Sequence, residues 1–307
     1  MKLSVFYNPV YNIDLGLLNR LHPFDGLKFK KVYDQIHLFE QVELIDPKTP
    51  VTDDDINKFV DSLQKLLLKK KRYIFRALEV PYIPLVPFSW IDKKVLLPMR
   101  YGVAGTIQAA RYAMEGHHCW NLSGGYHHAS KAKSEGFCIY NDIGMAIESL
   151  RENSILTKDD KILIIDIDAH HGNGNAYVFE NDTSVTLFDI YNDDIYPNSP
   201  YTKERVDINV PLRHGTSGVE YLNSLKSGLD QINGNYKLAF VVAGTDVIKE
   251  DPLGGLNLSI EDCANRDALV AKKLSDLKVP FVFTGGGGYS LKSAQAIIES
   301  IRKITAL

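Results

Sequence analysis

Five short apolar runs recur along this chain with helix-length segments between them. They are CWNLSGG (119–125), KILIIDI (161–167), SVTLFDI (184–190), KLAFVVAG (237–244) and VPFVFTGG (279–286). A strand covered on both faces reads as a continuous apolar run, whereas a half-exposed strand alternates. The intervening segments at about 102–115, 139–152, 217–232, 260–277 and 290–304 carry apolar residues at helical spacing. MKLSVF, at the start, reads as a first strand. The pattern predicts an α/β fold: one three-layer domain over 1–307, with a parallel β-sheet flanked by helices on both faces. The basic run SLQKLLLKKKRY (62–73) reads as the solvated end of an amphipathic helix that begins near Thr52-Asp53.

In sheets of this kind, functional groups collect at the carboxyl ends of the strands. The polar chemistry should therefore follow each run, and it does. Tyr126-His127-His128 follow the first run, and Asp166, Asp168, His170 and His171 close the second. Thr245 and Asp246 follow KLAFVVAG, and four glycines and Tyr289 follow VPFVFT. Isolated buried charges are costly, so DIDAHHGNG (166–174) calls for partners or a metal. In a strand, residues two apart point to the same face, so Asp168 and His170 can grip one ion while Ala169 points away. Asp246 is then the best third ligand. One imidazole and two carboxylates with positions left open is the pattern of a catalytic zinc.

Composition excludes several other classes. A net charge of -3 gives no basic field for direct nucleic-acid binding. Three scattered cysteines, Cys119, Cys138 and Cys263, do not make a disulfide framework. No run is long enough for a membrane helix and no signal peptide is read, so the expectation is a soluble cytoplasmic protein of unspecified oligomeric state. His117-His118-Cys119 lies on the amino-terminal side of its strand and is read as structural, as is His214 in a loop; His22 is read as a structural or rim residue and not as a ligand. The GGGG before Tyr289 lacks phosphate-loop spacing and reads as close backbone approach to a substrate channel.

These motifs resemble the histone deacetylase family within the arginase–deacetylase fold. GGYHHA (124–129), GFCIYND (136–142), DIDAHHGNG (166–174), GTD (244–246), LGGL (253–256) and GGGGY (285–289) occur in the family's order. HPFD (22–25) and IYNDDIYP (190–197) look closer to the class IV branch and its bacterial relatives. The resemblance implies that Asp168, His170 and Asp246 bind Zn²⁺, a site that also accepts Fe²⁺ in family members. It implies that His127 and His128 are the paired active-site histidines, with Asp166 behind His127, and that Tyr289 contacts the substrate carbonyl. Asn173 stands at the position behind the second histidine, where many relatives carry Asp. Phe137 and Tyr196 would wall the channel, with Gly125, Gly136 and Gly287 as backbone positions along it. A structural K⁺ or Na⁺ near Asp166, Asp168 and the backbone of His170 is also implied.

The implied reaction is hydrolysis of an N-ε-acyl-lysine amide, acetyl or longer, in a protein or peptide. An acetylpolyamine or other small acylated amine would use the same residues. A catalytically silent acyl-lysine binder would have no need for the complete set. Arginase-type two-manganese chemistry needs a further carboxylate two residues after the ligand histidine, where this chain has Gly172. Thr245, where GAD is frequent, has no assigned role.

Overall fold

A computed structural model describes residues 1–14 and 24–307. His22, and with it the first half of HPFD, lies outside the described residues. Among the described residues, eight strands form one sheet: β1 (Leu3–Phe6), β2 (Val42–Ile45), β3 (Cys119–Asn121), β4 (Ile162–Asp166), β5 (Val185–Asn192), β6 (Ile208–Leu212), β7 (Leu238–Val242) and β8 (Phe281–Thr284). Their order across the sheet is β2-β1-β3-β8-β7-β4-β5-β6, and every pairing is parallel.

The helices are α1 (Lys28–Ile36), α2 (Asp53–Phe59), α3 (Ser62–Leu67), α4 (Lys71–Ala77), α5 (Phe88–Ile91), α6 (Leu97–Met114), α7 (Asp142–Glu152), α8 (Asn173–Val178), α9 (Pro200–Glu204), α10 (Gly218–Leu229), α11 (Ile260–Asp276) and α12 (Ser293–Thr305). A π-helical turn, Asp92–Leu96, joins α5 to α6.

The continuous apolar runs have a direct cause in this layering. Along β4, Leu163 and Ile165 enter one core with helices α10 to α12, while Ile162 and Ile164 enter the core on the opposite face, against α7. Both faces exclude water, so the positions from Ile162 to Ile165 are all apolar, and the one charged residue, Asp166, stands at the carboxyl end. Fully burying one such side chain contributes about 1.5–3 kcal/mol.

Strands β2 and β6 escaped the sequence reading because they lie at the two edges. β2 is only partly buried along its length, and β6 carries Pro211, tolerated at an edge because no neighbour needs its N–H.

The helix expected from Thr52 through the basic run is instead three short helices. The start is right: Thr52 and Asp55 form a reciprocal capping box. The chain then turns extended at Val60 (ψ 151°), where the Asp61 N–H donates to the Lys131 carbonyl. A second break falls at Lys70 (φ -105°, ψ 114°). Gln64 is wholly buried between them, donating to the Ser134 hydroxyl and accepting from the Tyr73 hydroxyl. Contacts with the 130–139 loop thus override a locally helical pattern. Residues of α2, α4 and α5 and of the π turn form a third core together with Met99, Val103 and Ala104 of α6 and Ile139, Tyr140 and Met145.

Candidate active site

Four adjacent strands, β3, β8, β7 and β4, present their carboxyl ends side by side, and the motif residues meet there. β4 ends at Asp166, so Asp168 and His170 lie beyond the strand rather than on it. The period-two argument therefore does not apply, yet the two side chains converge because of a bend just past the strand. The His170 N–H donates to Asp168 Oδ1 at 2.9 Å, and the Asp168 N–H donates to Asp166 Oδ1 at 3.2 Å.

Asp246, arriving after β7, completes the group. Its Oδ2 lies 2.8 Å from His170 Nδ1, which also lies 3.1 Å from Asp168 Oδ1. The ligand atoms of Asp168, His170 and Asp246 fall within 4.8 Å of one another, and all three residues are buried. Their remaining lone pairs are held by backbone donors: Ala169 N–H to Asp246 Oδ1 at 3.0 Å, and Gly287 N–H to Asp168 Oδ2 at 2.6 Å. A Cβ on Gly287 would fall 2.1 Å from Asp246 Oδ2, so the GGGGY segment closes on the carboxylates as only glycine can.

The electrostatics suit a cation. Burial, then the Asp168 charge, pushes Asp246 up to about 7. Against burial, hydrogen bonds to Asp168 and Asp246 hold the His170 imidazole up at about 10. Burial acts against Asp168 too, but His127 and His170 keep it well below the usual carboxylate range. A proton on His170 thus sits where two carboxylates converge, and a divalent cation replacing it would balance both charges. The donor set of one imidazole nitrogen and two carboxylate oxygens fits zinc.

The paired histidines arrive on the loop after β3. Asp142, the first residue of α7, accepts from the Gly125 and Tyr126 N–H groups (3.0 and 2.8 Å) and from the Thr106 hydroxyl, fixing that loop. His127 Nδ1 is 2.8 Å from Asp166 Oδ2, and His128 Nδ1 is 2.7 Å from Asn173 Oδ1. Burial opposes charge on His127, but Asp166 and Asp168 raise it to about 9. Burial also lowers His128, and the neighbouring His127 and His170 lower it further, well below 6.5.

Tyr289 is held through its backbone. Its N–H and that of Ser290 donate to Asp251 Oδ2 at 2.7 and 3.1 Å. Burial, with Asp246 and Asp168 close by, pushes its hydroxyl well above 10, so it stays a proton donor.

Phe137 stacks edge-on to Tyr289 at 5.5 Å between ring centres, and the partly exposed Tyr196 sits 5.1 Å from the His128 ring. Gly136 and Phe137 both have positive φ (56° and 64°) and form the centre of a tight turn closed by Cys138 N–H to Glu135 O. A Cβ on Gly136 would meet the His128 ring at 2.3 Å. Burial pushes the Cys138 thiol up, away from nucleophilic chemistry.

A cavity of about 160 Å³ adjoins Gly125, His127, His128, Phe137, Gly287 and Tyr289. Its far wall is apolar and includes Phe75, Leu78, Val80, Ile83, Trp90 and Met99 from α4 through α6.

The family follows from comparison with known sequences. Residues 22–305 match the histone deacetylase domain. The chain belongs to the histone deacetylase family. "Histone deacetylase 2" of Arabidopsis thaliana is 32% identical over 311 residues, covering 99% of this chain and 79% of that protein. An uncharacterized protein of Picosynechococcus is 33% identical over 190 residues, 61% of each chain. The acetoin utilization protein AcuC of Staphylococcus aureus is 32% identical over 184 residues, 56% of this chain and 46% of AcuC. The eight-stranded parallel sheet between helical layers is the α/β fold expected of this family.

Several supporting residues of this histone deacetylase domain carried no signal in the sequence reading. Asp251 follows no motif. Arg266, wholly buried on α11, donates at 2.7 Å to the carbonyls of Ile167 and Gly244, each close to a ligand. Lys28, buried on α1, reaches the Gly286 and Gly288 carbonyls at 3.3 and 3.4 Å. His171 turns away from the site, to Asp189 at 2.6 Å and the Thr202 hydroxyl at 2.8 Å. His118 stacks on Phe281, remote from this edge. Among the described residues, no helix is long and apolar enough to cross a membrane.

Proposed function

We propose that the whole chain acts as one zinc-dependent deacylase that hydrolyses the amide of N-ε-acyl-lysine in proteins or peptides. The observation that carries this reading is a buried Asp168–His170–Asp246 set facing two unlike histidines and Tyr289 at the mouth of an apolar cavity. When bound by those three residues, Zn²⁺ or Fe²⁺ supplies Lewis-acid polarisation of the acyl carbonyl and a lowered pKa for the attacking water. His128, neutral at pH 7, takes the proton of that water. His127, charged through its pairing with Asp166, adds positive potential where the tetrahedral oxyanion develops. The Tyr289 hydroxyl donates a hydrogen bond to the same oxyanion. His128 then returns its proton to the leaving lysine amine, and the products are a free amine and a carboxylate.

Phe137 and Tyr196 flank the lysine stem in this reading, with Gly125, Gly136 and Gly287 as close backbone, and the acyl group enters the apolar cavity. Asp189, beside Asp166 across the β4–β5 pairing, leaves Oδ1 buried without a hydrogen-bond partner, which supports a structural K⁺ or Na⁺ there.

The test is amine release from acyl-lysine peptides and acetylated polyamines, with and without chelator. Chelator-sensitive turnover of lysine peptides is expected. Within the peptide series, each methylene buried in the cavity is worth about 0.8 kcal/mol. kcat/KM should therefore rise by roughly fourfold per carbon until the cavity fills. Turnover confined to polyamines would replace the substrate. No turnover by protein holding one metal per chain would overturn the enzyme reading.

A further inference from the structure

Behind His128 stands an amide, and behind the amide stands a carboxylate. Asn173 Oδ1 lies 2.7 Å from His128 Nδ1, while Asn173 Nδ2 lies 3.0 Å from Glu135 Oε1. The other Glu135 oxygen, Oε2, pairs with Lys133 at 2.5 Å. Glu135 also opens the tight turn that presents Gly136 to the His128 ring and Phe137 to the channel. Asn173 and His128 are both buried, so the hydrogen bond between them is shielded from bulk solvent.

An asparagine by itself is an ambiguous partner for a histidine. Its oxygen accepts from an imidazole N–H, whereas its NH₂ donates to a bare imidazole nitrogen. The two orientations select opposite tautomers. An aspartate, which only accepts, leaves no such ambiguity. A carboxylate such as Glu135, ion-paired to Lys133, accepts and does not donate. It therefore claims the Asn173 NH₂ and turns the amide oxygen towards His128. His128 must then carry its proton on Nδ1, which leaves Nε2 bare.

We propose that Glu135 is a positioning residue that sets the tautomer of His128 through Asn173. Glu135 supplies, one residue further back, the acceptor character that an aspartate at position 173 would supply directly. The role assigned to the bare Nε2, proton acceptor from water, rests on the deacylase reading; the tautomer itself does not.

The experiment is ¹⁵N–¹H correlation NMR of the imidazoles in the zinc-loaded protein, paired with steady-state kinetics. The His128 signals are identified by their loss in His128→Gln. The wild type should show Nδ1 protonated and Nε2 bare. Glu135→Met keeps length but removes the acceptor. It should give mixed or inverted His128 tautomers and lower kcat by about 10- to 100-fold, with KM within about twofold. Glu135→Gln retains an acceptor oxygen and should restore the Nδ1–H form and most of kcat. A wild-type His128 protonated on Nε2 overturns the proposal, and this is read without any substitution should Glu135→Met fail to fold. An unchanged tautomer in folded Glu135→Met overturns it as well. If the protein hydrolyses nothing but the tautomer responds to Glu135→Met, the deacylase reading fails and the Glu135 assignment stands.

Discussion

His127 and His128 are consecutive in the chain and their rings lie 4.1 Å apart, but they belong to two differently built regions. His127 faces the end of β4, where the Asp166 carboxylate stands at hydrogen-bond distance. His128 faces α8 and the 135–138 turn, where the nearest partner is the neutral Asn173 and the carboxylate stands one residue behind. Burial opposes a proton on both. On the first side the carboxylate outweighs it and the imidazole rises to about 9; on the second nothing does, and the imidazole falls. Charging His127 further discourages a charge on His128. The lesson is that two equally buried imidazoles take opposite protonation when one faces carboxylates and the other faces charged imidazoles and a neutral amide.

The strongest way to break this comparison is to delete each ring. His128→Ala should lower kcat by about 10³-fold, the range of a lost general base, and His127→Ala by less. A larger loss for His127→Ala would reverse the two assignments.

Next in size is Asp166→Asn. Without its carboxylate, the His127 titration should fall from about 9 towards the ordinary 6.5, followed by NMR, with kcat down about 100-fold. A His127 that still titrates near 9 would mean that Asp168 alone sustains it.

Asn173→Asp makes the second side resemble the first. A charged partner raises His128, so the acid limb of the kcat/KM profile should move up by about one to two pH units. His128 must be neutral to accept a proton, so the loss falls on the acid side. Activity should be lost on the acid side of the profile and change little at pH 8. An unmoved limb would show that another group controls it.

The smallest effect sharpens the packing side of the contrast. Gly136→Ala places a Cβ 2.3 Å from the His128 ring at a backbone angle that favours glycine. Denaturant unfolding should report about 1–3 kcal/mol of lost stability, with the NMR signals of His128 displaced more than those of His127.

How much of this was legible beforehand differs by kind of residue. Asp168, His170 and Asp246 stood out because charged groups directly after apolar runs are rare unless partnered. Tyr289 stood out through its four preceding glycines. Asp251, Arg266 and Lys28 looked like ordinary polar residues on loops and helices, since nothing local marks a side chain that will reach a distant carbonyl or N–H. Glu135 was invisible for the same reason: its partner Asn173 lies 38 residues away. The cavity wall was hidden as well: residues 52–73 read as one amphipathic helix, which contacts with the 130–139 loop break into short pieces, and residues 74–96 showed no pattern that marked them as a wall.

From the sequence alone came the parallel sheet, its buried strands and the edge where the chemistry gathers. Those properties depend on local hydrophobic patterning and on the chain order of motifs, both of which are written residue by residue. The tertiary structure decided that Asp168 and His170 converge on a bend past β4. It decided that His127 and His128 differ in charge, and that an apolar cavity adjoins them. Each of these depends on which groups from remote segments lie within a few ångströms, because charge, desolvation and packing act through space and not along the chain.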